Sequence, residues 1–251
     1  MQKILGYLRK AVQQYDLIQE GDRIAVAVSG GKDSLVLLKA LAEYRRFSAA
    51  KYDLTAITID PRFNDTDGDY LSVQSLCKEL EVPYITEPTD IAQIVFDIRK
   101  EQNPCSLCAK LRRGALHACA KSHGCNKLAL GHNNDDAIET FIMNLFQTGS
   151  ISCFSPKSYL PDRDITVIRP LCLAPERQVI SAAKRNDLQI VKSACPADKH
   201  TTRQVTKEWL NAMERSDKGF KLRIFGAMQR ANISGWGFPQ NKAENNENKM
   251  G

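Results

Sequence analysis

The sequence predicts an α/β fold, a doubly wound parallel sheet followed by a C-terminal helical extension. Three observations lead there. Short β-branched apolar runs alternate with segments of helical apolar spacing between residues 24 and 186. The runs are apolar almost throughout, as in strands covered on both faces. After Cys195 only helical spacing remains. A chain of 251 residues fits one large domain with such an extension. The expected bounds are 1–20 for an N-terminal helix, 21–192 for the sheet domain, 193–238 for the extension and 239–251 for a tail. The tail holds Asn, Glu and Lys with little apolar material but Ala243 and Met250, so it is expected to be disordered.

Each element has its own reason. Ile4, Leu5, Leu8, Val12 and Tyr15 share one face, which predicts a helix over Ile4–Ile18. Gly21-Asp22 turns the chain into the strand Ile24–Val28. Leu35–Tyr44 is spaced as a helix. Leu54–Ile59 reads as a strand, Tyr70–Glu81 as a helix, Pro83–Thr86 as a strand and Ile91–Lys100 as a helix. Then come the helix Lys110–Lys121, the strand Lys127–Leu130, the helix Asp135–Phe146, the strand Ile165–Ile168 and the helix Pro175–Asn186, with Pro in its first turn. Thr201–Glu214 and Phe220–Gln229 are the extension's helices. Ligands of such sheets bind at the carboxyl ends of the strands, near a switch in strand order.

Composition narrows the function. Apolar residues make up 43% and charged residues 25%, ordinary for a globular protein. No run is long and apolar enough for a membrane span. Arg9, Lys10, Asp16 and Glu20 interrupt any signal peptide, so the cytoplasm is expected. The net charge is +6, with the excess carried by residues 97–251. A basic half suits a polyanion such as nucleic acid, although solubility alone also explains it.

The sharpest motif is Ser29-Gly30-Gly31-Lys32-Asp33-Ser34 between the first strand and its helix. Adjacent glycines let several N–H groups face one point, and the helix N-terminus adds its positive dipole end. Lys32 contributes charge, and Ser29 and Ser34 contribute hydroxyls. Together they suit a phosphate chain. Asp33 would repel phosphate unless a cation lies between them, which suggests Mg²⁺. The spacing fits neither the Walker loop nor the dinucleotide fingerprint. It resembles the pyrophosphatase-type loop of ATP-dependent adenylating enzymes, which implies ATP as cofactor, cleavage between its α and β phosphates, and AMP transfer to an oxygen.

Gly131-His132-Asn133-Asn134-Asp135-Asp136 follows a later strand and opens a helix, so it lies on the same side of the sheet. Asp135 and Asp136 can serve as a metal ligand and a polar orienting group, or simply as first-turn acids behind an N-cap at Asn134 or Asp135. The adenylating enzymes carry a similar G-H-x-x-D-D segment followed by E-T, here Glu139 and Thr140. Asp60, ending the second strand, is a further candidate for the nucleotide site.

Of eight cysteines, most are expected to be small buried hydrophobes. Cys105-Ser106-Leu107-Cys108 is a C-x-x-C that fits zinc, a redox pair or an iron–sulfur cluster. No second pair completes a zinc knuckle. A cluster needs a distant third ligand. Cys195 is the best placed, with Cys172 as its competitor. Both Cys105 and Cys108 begin a helix, which favours the thiolate.

The run C-S-L-C-x-x-L-R-R-G at 105–114, E-G-D-R-I at 20–24, L-A-L-G-H at 128–132, V-I-R-P-L at 167–171 and C-x7-R-Q-V at 195–205 together resemble the tRNA 2-thiocytidine biosynthesis family. The resemblance spans about 220 residues. One departure is Lys192, where that family often has a further cysteine. The resemblance implies a Rossmann-like fold of the pyrophosphatase-loop type, with the C-x-x-C inside the adenylating domain. It implies a [4Fe–4S] cluster on Cys105, Cys108 and Cys195, and Mg²⁺ near Asp33 and Asp135. Ser29–Ser34, Asp60, Gly131 and His132 would bind the nucleotide, and Lys32, Asp136 and Arg112 would act in catalysis, with Arg113 as the alternative to Arg112. The implied reaction adenylates the C2 oxygen of a tRNA anticodon-loop cytidine and replaces it with sulfur. A sulfur donor such as a cysteine desulfurase, and a homodimer, are further candidate partners. Arg203, Lys207, Lys184, Arg185 and Lys192 are candidate contacts to the tRNA backbone. The alternatives are a uridine thiolase, a lysidine-type ligase, which would leave the cysteines idle, and a non-catalytic nucleotide-binding module.

Overall fold

The computed structural model describes residues 1–63, 68–100, 104–191, 195 and 202–238. Lys192 and the tail 239–251 lie outside the described residues. The helix α1 (Gln2–Tyr15) leads into β1 (Asp22–Ala27) and α2 (Lys32–Arg45). Then follow β2 (Tyr52–Asp60), α3 (Leu71–Glu79) and β3 (Tyr84–Pro88). A π-helical turn (Gln93–Ile98) and α4 (Pro104–Ser122) cross to β4 (Lys127–Ala129), which continues into α5 (Asn134–Met143). β5 (Lys157–Leu160), β6 (Ile165–Ile168), α6 (Glu176–Arg185), α7 (Thr202–Ser216) and α8 (Phe220–Arg230) complete the described chain.

The six strands lie in the order β3-β2-β1-β4-β6-β5. All neighbouring pairs are parallel except β5 with β6. The order reverses between β1 and β4, and a crevice opens at the carboxyl ends of those two strands. Side chains alternate between the two faces of the sheet. Ile24 and Val26 of β1 face a core shared with α1, α2, α5, α6 and α8. Ala25 between them faces a second core, with Ile57, Ile59, Val95, Ala120 and Leu128. Covering on both faces is why the strands read as continuous apolar runs.

Two segments differ from the sequence reading. β5 was not expected: only four residues long, half exposed and at the sheet edge, it carries no alternating apolar signal. It pairs antiparallel through a hairpin closed by Asp164 in the left-handed region, so the sheet is mostly rather than wholly parallel. The helix expected over Ile91–Lys100 is mostly π-helical, Gln93–Ile98, and is capped at Arg99, after which Lys100 takes φ 48°.

A buried ion pair and a buried indole tie the termini down. Lys127 Nζ meets Asp22 Oδ2 at 2.6 Å and donates to the Leu17 carbonyl at 2.9 Å, linking the amino ends of β1 and β4. Trp236 is fully buried among the rings of Tyr15, Phe154 and Phe225, with centroids 6.0, 5.9 and 5.2 Å away. Its Nε1 donates to the Phe154 carbonyl at 2.7 Å. Truncating Trp236 would leave both a cavity and an unsatisfied carbonyl. Trp236→Ala is expected to cost about 3–5 kcal/mol in a denaturant titration.

Candidate functional site

The crevice at the ends of β1 and β4 holds a cavity of about 390 Å³. Its floor is Ala27, Val28, Ile57 and Ile59. Ser29, Asp33 and Ser34 form one wall and Gly131, His132 and Asp136 the other, with Arg112 and Arg113 of α4 and Arg203 of α7 above. Residues from five separate stretches of sequence are thus brought to one point.

The phosphate loop has the expected local form. Gly30 has φ +79°, and a Cβ there would come within 2.6 Å of the Val191 Cβ. Val191 donates its N–H to the Gly30 carbonyl at 3.0 Å, so the chain leading to Cys195 is seated on the loop. Gly31 is the N-cap of α2 and offers no side chain to the first-turn N–H groups. Those donors, left without intrahelical acceptors, suit an anion. The Ser34 hydroxyl donates to the Gly31 carbonyl at 2.9 Å and bridges the turn.

The second loop closes on the first. A Cβ on Gly131 would meet the backbone of Asp33 at 3.0 Å. Asn133 Nδ2 donates to Asp33 Oδ1 at 3.1 Å. Asn133, not Asn134 or Asp135, caps α5, in a reciprocal capping box with Asp136. The spacing of Asn133 and Asp136 was the available sequence signal for this cap. Burial raises the Asp136 carboxyl, the Asn133 backbone bond opposes it, and the nearby Asp33 adds to the rise. The neighbouring Glu139 is buried and is pushed up to about 7 by burial and Asp136.

Other expected residues are placed differently. Asp135 does not line the cavity. Its Oδ1 pairs with Lys221 at 2.7 Å, and its Oδ2 accepts the Glu176 N–H at 2.7 Å, so it fastens α6 and α8 rather than facing a metal site in the cavity. Asp60 lies in a neighbouring groove with Tyr70 and Tyr84, where it accepts the N–H groups of Arg62 and Gly68. Lys32 turns to Asp33 at 2.8 Å and to Glu176 at 3.0 Å. Arg203 pairs with Asp136 at 3.3 Å, and Lys207 with Glu176 at 2.6 Å. These two face the acids of the site instead of an external polyanion. Lys184 and Arg185 are exposed at the end of α6. Glu176 and Lys221 escaped the sequence reading, because only folding brings their partners near.

The cysteines divide by environment. Pro104 opens α4, with Cys105 exposed and Cys108 half-buried one turn later. Burial pushes the Cys108 thiol up, overriding the helix N-terminus. Arg112 opposes this, and the sulfurs of Cys195 and Cys105 add to it. Cys108 therefore senses both other expected ligands. Cys172 is wholly buried in the core, and Cys77, Cys119 and Cys125 are buried too. Cys153 Sγ is bonded to the Ala137 carbonyl. Among the described residues no three His, Cys, Asp or Glu side chains close on a single-ion site.

His132 packs on Phe154, ring centroids 4.9 Å apart, and its Nδ1 is buried without a hydrogen-bond partner. Burial and then Arg169, Arg203 and Arg113 push it down to about 3, so the imidazole is neutral. An unfolded histidine binds a proton near pH 6.5. Between those values the unfolded chain holds the extra proton, so stability falls as pH falls from 6.5 towards 3. His132→Gln is expected to flatten that part of the stability–pH curve, measured by denaturant unfolding at a series of pH values.

Comparison with known proteins gives consistent matches. A PP-loop domain model matches residues 4–213. A tRNA-cytidine(32) 2-sulfurtransferase of Geobacter sulfurreducens is 40% identical, covering 90% of this chain and 90% of that protein. That of Citrifermentans bemidjiense is 38% identical, covering 90% and 89%. The structure resembles a U34-tRNA thiolase, NcsA, from Methanococcus maripaludis with its [4Fe-4S] cluster. The TM-score is 0.73 at 27% identity, covering 91% of this chain and 78% of that one.

Proposed function

The chain belongs to the tRNA-cytidine(32) 2-sulfurtransferase family of PP-loop proteins, and we propose that it is an ATP-dependent enzyme replacing the C2 oxygen of cytidine 32 in tRNA with sulfur. The observation that carries this reading is the meeting of a phosphate loop, two arginines of α4 and, one turn from them, the cysteine pair that opens the same helix.

ATP lies with its phosphates on the loop Ser29–Ser34. The N–H groups of α2 and the Ser29 hydroxyl face the β and γ phosphates, the Ser34 hydroxyl braces the turn that presents them, and Lys32 supplies the cation there. Asp33 and Asp136 are the carboxylates suited to Mg²⁺: both line the cavity, and burial together with the nearby Asp33 raises the Asp136 carboxyl, which a cation between them would relieve. Arg112, with Arg113 at the mouth, counters charge developing on the α phosphate. The C2 oxygen of the cytidine attacks that phosphorus and pyrophosphate departs, so a poor leaving oxygen becomes a good one. The base must be unstacked to reach the cavity, as in an anticodon loop. Neutral His132 and the apolar floor limit water.

The residues present fit a [4Fe–4S] cluster. Cys105, Cys108 and Cys195 are electrostatic neighbours and none is in the core. When bound, such a cluster supplies an iron without a protein ligand, able to carry hydrosulfide. Lysidine-type chemistry would leave these cysteines without a task. A sulfur donor such as a cysteine desulfurase, a homodimer and a cytoplasmic site complete the proposal.

Two outcomes test it. Lys32→Ala and Asp33→Ala are expected to fold but to lose pyrophosphate release by at least about a hundredfold, as for removal of transition-state charge stabilisation. Cys105→Ser, Cys108→Ser and Cys195→Ser are expected to lose iron and 2-thiocytidine while still binding ATP. Cys172→Ser should keep both. Iron per chain after anaerobic reconstitution, and mass spectrometry of tRNA nucleosides from a deletion strain carrying each variant, provide the readings. Appearance of 2-thiouridine instead would favour the uridine reading.

A further inference from the structure

We propose that Glu176 is a positioning residue that holds Lys32 of the phosphate loop and Lys207 of α7 on one carboxylate oxygen, coupling phosphate binding to the C-terminal helices. The proposal rests on the ATP-using reading above and extends it to a residue outside both sequence motifs.

The geometry is specific. Glu176 Oε1 accepts from Lys207 Nζ at 2.6 Å and pairs with Lys32 Nζ at 3.0 Å. The Glu176 side chain is only 14% exposed. Its own N–H donates to Asp135 Oδ2, and Asp135 Oδ1 holds Lys221 of α8. The carboxylate is therefore fixed from its backbone outward. Burial raises Glu176, but the two lysines outweigh it and hold the carboxyl below its ordinary value. Burial likewise lowers Lys32, and Asp33 with Glu176 reverses that. Lys207 is not part of the cavity wall.

One carboxylate between two ammonium groups behaves differently from a simple ion pair. An arriving polyphosphate competes with Glu176 for Lys32. When Lys32 turns to phosphate, Lys207 keeps Glu176 neutralised. Without Lys207, the full charge of Glu176 would retain Lys32 and repel phosphate. The influence of Lys207 on ATP must then pass through Glu176. Removing the carboxylate has the opposite sign: it takes a negative charge away from the phosphates, but releases Lys32 and α7 from their shared anchor.

A double-mutant cycle in the full chain tests this, reading the ATP dissociation constant and the kcat of pyrophosphate release. Lys207→Ala is expected to weaken ATP binding about fivefold in the wild-type background and less than about twofold in Glu176→Gln. Glu176→Gln alone should leave ATP binding unchanged or tighter while lowering kcat about tenfold, with partial recovery of kcat in Glu176→Asp. Glu176→Ala serves as the second carboxylate-free background if the glutamine variant does not fold. Equal effects of Lys207→Ala in both backgrounds, or weaker ATP binding in Glu176→Gln, would overturn the coupling. Wild-type protein that does not bind ATP would overturn the ATP-using reading and this proposal together.

Discussion

No side chain fits between residue 131 and the first turn of α2, and the site depends on that contact. The loop leaving β4 must press against the loop leaving β1 for Asn133 to reach Asp33. Only then does Asp136, raised first by burial, lie close enough to Asp33 for that carboxylate to add to the rise. The parallel pairing of β1 with β4 brings the loops together, and the glycine removes the last obstacle. A sheet in which β4 lay elsewhere would scatter the same residues.

That closeness creates an electrostatic problem. Asp33 and Asp136 face a crevice meant for an anion, and Asp135, Glu139 and Glu176 lie on the helices beside it. The cations that answer them come mostly from outside the sheet domain: Arg203 and Lys207 from α7, Lys221 from α8. The extension is therefore a source of counter-charge for the site as well as a cover for the core. This also explains why Arg203 and Lys207, which read as a nucleic-acid face, turn inward. A buried or half-buried carboxylate near like charges has more to gain from a lysine than solvent-exposed RNA phosphates do. In this structure, the exposed basic residues at the end of α6 remain available to a polyanion.

The cysteine pair is placed by the same logic. α4 spans the second face of the sheet and brings Arg112 and Arg113 over the crevice. Cys108 lies one helical turn before Arg112 on the same helix, packed against the second core. Val191, bonded to Gly30, fixes where the chain leaves α6 on its way to Cys195. Phosphate loop, arginines and cysteines are thus neighbours although they span some 160 residues of chain.

Much of this was legible in the residues. Apolar runs and helical spacing set out the parallel strands and their helices because burial on both faces leaves a direct imprint on composition. Ser29–Ser34 and Gly131–Asp136 announced their site because backbone conformation and charge there are local properties. Cys172 could not be separated from Cys195 by spacing, since burial in the core is a tertiary fact. β5 left no imprint, being short and at the edge. Which carboxylate faces the cavity, Asp136 rather than Asp135, and which lysines and arginine neutralise the site depend on how α6, α7 and α8 pack against α5. Adjacent residues in a helix point about 100° apart, so only the position of the neighbouring helices decided which side chain met the cavity and which became a brace.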